Sequence, residues 1–82
     1  MEDLKSGSFI ISERNSIARQ IKIYREKNAY SQDSLAEIMG VSRSTISKIE
    51  NGKFSFSIDY LARLSFFLGF KIMLTDTDNE RR

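Results

Sequence analysis

The stretch SQDSLAEIMGVSRSTISKIENGK, Ser31 to Lys53, holds two helices separated by almost nothing. Ser31 is a good N-cap, because its hydroxyl can accept from a first-turn backbone N–H. Asp33 then sits where the helix dipole favours a negative charge. Leu35, Ile38 and Met39 supply an apolar face, and Gly40 ends the helix where the chain needs positive φ. Only Val41 separates Gly40 from a second cap, Ser42. The segment Arg43 to Asn51 follows, with Ile46 and Ile49 as its narrow apolar face and Gly52 at its end. Small Ala36 on the inner face of the first helix lets two steeply crossing helices approach closely. The spacing predicts helix, tight turn, helix. Held by flanking helices, such a pair can push its second helix into the major groove of DNA.

The residues on that second helix suit the use. A groove-reading helix needs donors and acceptors without bulk. Arg can bind guanine bidentately, Ser and Thr are permissive, and Thr can touch a thymine methyl. Arg43, Ser44, Thr45, Ser47 and Lys48 are therefore the candidate base-contacting residues. Hydroxyl-rich exposed helices also occur with no such role.

Working outward, Ile17, Ile21 and Tyr24 fall at i, i+4 and i+7, which predicts a helix from about Ile11 to Asn28, with Ser12 as a cap and Asn28 as its stop. Arg14, Arg19, Lys22, Arg25 and Lys27 occupy its other faces. Residues 1–10 read as a flexible arm, since Met1–Ser8 is polar with Gly7 between two serines. After a short link, Ser57 caps a helix whose Ile58, Leu61, Leu64 and Leu68 form one stripe, ended by Gly69. Residues 11–69 thus make one helical domain. Phe54 and Phe56 in the link read either as core cover or as part of a protein contact.

Beyond Gly69 the period changes from 3.6 to 2. Phe70, Ile72 and Leu74 alternate with Lys71, Met73 and Thr75, which predicts a short strand over 70–75. Its backbone groups need partners, and no second strand is evident in the chain. A homodimer joined across two such strands, through Phe70, Ile72, Met73 and Leu74, is the economical answer. The alternative is an extended tail packed on its own helices. Residues 76–82 form a polar tail.

At 82 residues and 9.5 kDa this is one small domain with a marginal core, which dimerisation would support. There is no Cys and no His. That removes disulfides, thiolate nucleophiles, His-based triads and the common zinc sites. No phosphate-cradling Gly loop or carboxylate pair favours an enzyme, and no cofactor or metal is expected. The net charge is only +2, but residues 14–53 hold eight Lys and Arg against four acids. No run approaches the ~18 apolar residues of a membrane span, and the N-terminus lacks a signal peptide's apolar segment. The expected location is the cytoplasm.

The Ser31–Lys53 stretch resembles the helix-turn-helix of the phage repressor/Cro (XRE-type) regulators. The carrying pattern is Gln32, Leu35-Ala36, Gly40-Val41-Ser42, Ile46-Ser47 and Ile49-Glu50-Asn51-Gly52-Lys53, and the likeness extends over about residues 12–69. It implies a mainly α fold of four to five helices of the lambda-repressor type, in a bacterial or phage protein. It implies that Arg43, Ser44 and Thr45 face base edges, with Ser47 and Lys48 one turn on. It implies phosphate contacts from Gln32, Asn51 and Lys53, and Ser42 and the cation Arg19 are further candidate phosphate contacts. It also implies a pair between Arg25 and Glu50, read first as structural and second as a phosphate contact. The family's usual Gln pair at the start of the reading helix is Arg43-Ser44 here, so no operator sequence carries over. The ending from Gly69 to Thr75 is similar to the HipB-like antitoxins, whose terminal strands pair across a dimer axis and which also restrain a kinase-like toxin.

The leading expectation is a homodimeric transcriptional repressor on an inverted-repeat operator in double-stranded DNA. A protein-interaction module is the alternative, with Phe54, Phe56, Phe66 and Phe67 docking a partner such as a toxin.

Overall fold

The computed structural model describes residues 4–77. Four helices follow one another: α1 Leu4–Lys27, α2 Gln32–Met39, α3 Arg43–Glu50 and α4 Ile58–Leu68. The Ser31 hydroxyl accepts from Ser34 N–H, and the Ser34 hydroxyl accepts from Ser31 N–H, closing a capping box at α2. Ser42 and Ser57 cap α3 and α4 by accepting from the N–H groups of Thr45 and Tyr60. Gly40, at φ 70°, ends α2 in the left-handed region. Among the described residues, no helix is long and apolar enough to cross a membrane.

α1 differs from its expected form. The arm expected over residues 1–10 is helical from Leu4 onward, and residues 1–3 lie outside the described ones. Ser12 lies inside the helix and caps nothing. Gly7 costs about 1 kcal/mol in a helix interior, but no Pro interrupts the run, and helix propagates readily once nucleated. The 24 residues of α1 span roughly 36 Å at 1.5 Å per residue. They set the long axis of a molecule measuring 41 × 22 × 19 Å. Its far end does stop at Asn28, whose Nδ2 donates to Tyr24 O at 2.7 Å and to Leu68 O at 2.9 Å. This ties the ends of α1 and α4 together.

The core joins all four helices. Ala18 and Ile21 from α1, Leu35, Ala36 and Met39 from α2, Ile46 and Ile49 from α3, and Leu64 and Leu68 from α4 are buried. Ile38, expected on the inner face of α2, is instead exposed. Arg63 on α4 donates to Met39 O at 2.6 Å, satisfying a carbonyl at the end of α2 beside the tight turn. Phe54 and Phe56 are half-buried against the core, with Phe54 4.8 Å from the Tyr60 ring.

The strand expected over 70–75 is absent among the described residues. The segment is extended, and no backbone hydrogen bond joins residues 71–75 to the described chain. A ladder exists only through a paired neighbour, and one copy of this chain offers none. Pairing of Phe70, Ile72, Met73 and Leu74 across a dimer therefore has no counterpart in this chain. Phe70 instead packs on Tyr24, ring centroids 5.3 Å apart, and Ile72 is half-buried. Met73 and Leu74 are exposed, Leu74 by 97%. Of the polar tail, residues 78–82 lie outside the described ones.

Candidate nucleic-acid interface

The orientation of α3 is fixed from beneath by Arg25. Its Nε donates to Glu50 Oε2 at 2.6 Å and its Nη2 to Glu50 Oε1 at 3.1 Å, a bidentate pair between α1 and α3. Its Nη1 donates to Tyr30 O at 2.8 Å, and Gln32 Nε2 donates to Glu50 Oε1 at 3.0 Å. One carboxylate thus collects α1 and the first residue of α2 onto the last residue of α3. The pair's side chains are only 9% and 4% exposed. Donating to the Glu50 carboxylate raises the Arg25 pKa above its ordinary value. Burial opposes this, and the charges of Glu50 and Glu26 add to it.

The outward face of α3 follows from helical phase, at about 100° per residue. Ile46 and Ile49 are fully buried. Ser44, Ser47, Lys48 and Asn51 project opposite them, with Arg43 and Thr45 at the two flanks. Arg43, Ser44, Lys48 and Asn51 are exposed, and Thr45 and Ser47 are half-buried. The five expected base-contacting residues are thus brought onto one short helix, but unequally. The hydroxyls form a local set. Ser42 Oγ lies 3.0 Å from Ser44 Oγ and 2.9 Å from Thr45 Oγ1, and Asn51 Nδ2 donates to Ser47 Oγ at 3.3 Å. The side of α3 away from the core is therefore low in bulk, rich in small dipoles and cationic at Arg43 and Lys48.

The turn after α3 continues this face. Lys53 N donates to Lys48 O at 3.0 Å, while the Lys53 side chain is exposed. Gly52 has φ 74°, and a Cβ there would run into the Asn15 carboxamide from α1. The Asn15 side chain thus lies directly against the turn at Gly52. No local signal in the sequence marks Asn15 or the α4 brace Arg63, because each acts on a residue far along the chain.

Three expected contact residues stand apart from the simple picture. Gln32 is already engaged with Glu50. The Ser42 hydroxyl serves as the α3 cap. Arg19 is exposed on α1, and among the described residues no hydrogen bond or ion pair joins it to α3. Of the four aromatics considered for a protein contact, Phe54, Phe56 and Phe67 are half-buried against the core. Only Phe66 is exposed, by 81%.

Residues 21–72 match the family described as Helix-turn-helix. The chain is also similar to an uncharacterized HTH-type transcriptional regulator of Methanocaldococcus jannaschii. The two are 40% identical over 53 residues, which is 65% of this chain and 80% of that protein. The matched region contains α2, α3, α4, the Arg25–Glu50 pair and the turn at Gly52. The chain belongs to the XRE-type helix-turn-helix family of transcription regulators.

Proposed function

We propose that this protein is a sequence-specific transcriptional repressor that binds double-stranded DNA as a homodimer. The observation that carries the reading is the outward face of α3, with small hydroxyls and two exposed cations on a helix locked by a buried ion pair. Arg43, Ser44, Thr45, Ser47 and Lys48 would face base edges. Lys53, Asn51 and the cap region at Ser42 would meet phosphates, with Arg19 at the margin. Gln32 retains its second amide N–H to donate to a phosphate while holding Glu50. One α3 reads only a few base pairs. Two copies present two such helices to half-sites about one turn, ~34 Å, apart, so the operator is an inverted repeat. Repression follows from occupying a promoter and involves no chemistry.

The test is binding to duplex DNA by fluorescence anisotropy across a salt series. A dimer neutralising roughly 6–8 phosphates loses about 10³-fold or more in affinity between 50 and 200 mM salt. Binding that is absent at 50 mM salt contradicts the proposal. The antitoxin reading adds a protein surface, for which Phe66 is the exposed one of the four aromatics expected to dock a partner. It is tested by co-purification with a kinase-like toxin: Phe66→Ala should lose the toxin and keep DNA.

A further inference from the structure

Five side chains of α1 share one polar edge. At about 100° per residue, Ser8, Ser12, Asn15, Arg19 and Lys22 fall within an arc of about 80°. All five are exposed. The buried Ala18 and Arg25 lie to one side of this arc, and Glu13 lies to the other, about 100° beyond Ser12. No acid interrupts the edge between Ser8 and Lys22. Glu26, the acid that follows, has its carboxylate 3.9 Å from Arg25 Nη2.

Asn15 places this edge on the molecule. Its carboxamide lies directly against Gly52, in the turn that carries Asn51 and Lys53. At 1.5 Å per residue, Ser8 and Lys22 lie about 10 Å to either side of Asn15 along α1. The edge therefore runs past the turn in both directions. Among the described residues, the side chains of Asn15, Arg19 and Lys22 make no hydrogen bond or ion pair. Two unneutralised cations and an amide donor thus adjoin a turn that itself presents an exposed Lys53. Ser8 to Arg19 precede residue 21, where the likeness to the helix-turn-helix family begins, so most of this edge lies outside the shared segment.

We propose that this edge of α1 is a second strip for the DNA backbone, continuous with the Asn51–Lys53 turn. Asn15 donates to a phosphate beside the turn, and Arg19 and Lys22 neutralise phosphates along the same strand. Such contacts fix register and add affinity, and they carry no sequence information. Arg19 is then one member of a continuous strip instead of an isolated cation. This rests on the DNA-binding reading above and extends its footprint along α1.

The test uses the full chain carrying Arg19→Gln with Lys22→Gln, both at exposed positions. Binding is measured by anisotropy across a salt series, on a duplex enriched from a random pool and on a scrambled duplex. The slope of log affinity against log salt should fall by about 2 per bound chain, equally on both duplexes. Lys71→Gln is the control, because Lys71 lines a pocket on the other side of α1 with Glu13. It should leave the slope unchanged. In hydroxyl-radical footprinting, the double variant should expose sugars adjoining those that Lys53→Ala exposes. An unchanged slope, a loss confined to the enriched duplex, or an equal loss from Lys71→Gln overturns the strip and leaves the repressor reading standing. A native chain that binds no duplex at 50 mM salt overturns both.

Discussion

Asp33 and Arg43 face each other across the tight turn, with Asp33 Oδ1 3.6 Å from Arg43 Nε. Their side chains are 78% and 66% exposed, and an exposed pair of this kind contributes about 0–1 kcal/mol to stability. Its consequence is orientation. The carboxylate lies beside the guanidinium at the leading edge of α3, and on the reading proposed above it biases the direction in which Arg43 meets a base. Arg43→Ala should cost about 1–3 kcal/mol on the preferred site and relax preference at one base position. Asp33→Asn should leave the melting temperature nearly unchanged while altering preference at that same position. Both are read from binding to a panel of single-base variants of the site. Equal weakening on every sequence would make Arg43 a phosphate contact.

Glu50 is held by Arg25 and Gln32 together, so breaking the buried pair should be expensive. Arg25→Ala leaves a carboxylate without its counter-charge and should cost about 3–5 kcal/mol in urea unfolding. The double change Arg25→Met with Glu50→Leu should cost much less, because no charge is then stranded. The pH dependence has a definite sign. Arg25 has its pKa raised on folding, so the pair's contribution from this group is present below the ordinary Arg range. It is lost only as pH rises through the still higher folded value. Stability measured from pH 7 to about 10 should therefore show no loss traceable to Arg25.

Gly52 combines a left-handed backbone with the close approach of Asn15. Gly52→Ala should destabilise by about 1–2 kcal/mol, mostly through the left-handed backbone, because the Asn15 carboxamide is the end of an exposed side chain that can turn aside. Adding Asn15→Ala should recover the steric part and leave the backbone strain. If the second change recovers nothing, the cost is backbone conformation alone. Thermal unfolding of the three variants separates these outcomes.

The α2–α3 unit was legible because its signals are local. Ser31, Ser42 and Ser57 each cap the helix that follows, and Gly40 sits where the chain turns left-handed. The Arg25–Glu50 pair came from family resemblance and not from spacing. The extent of α1 is not legible in its sequence, because Ser6-Gly7-Ser8 reads as loop although Phe9, Ile10 and Ile11 follow directly inside the helix. The strand expected over 70–75 has no ladder in one copy of the chain, because alternation in Phe70, Ile72 and Leu74 reports a two-faced segment and says nothing of a neighbour to pair with. Asn15 and Arg63 were invisible, since their partners lie 37 and 24 positions away along the chain.

Lys53 projects from the turn after α3 while its backbone closes that helix. Lys53→Ala should weaken binding to all duplexes alike and reduce the slope of log affinity against log salt by ~1 per site. An unchanged slope removes Lys53 from the footprint.

On the proposed reading, the outward face of α3 reads base sequence. The most direct measurement is selection from a random duplex DNA pool at about 100 mM salt, run in parallel with the native chain and with Arg43→Ala. The native chain should enrich an inverted repeat with half-sites about one helical turn apart. The variant should enrich the same repeat with one position per half-site degenerate. No enrichment by the native chain, or an identical motif from both proteins, would contradict that reading.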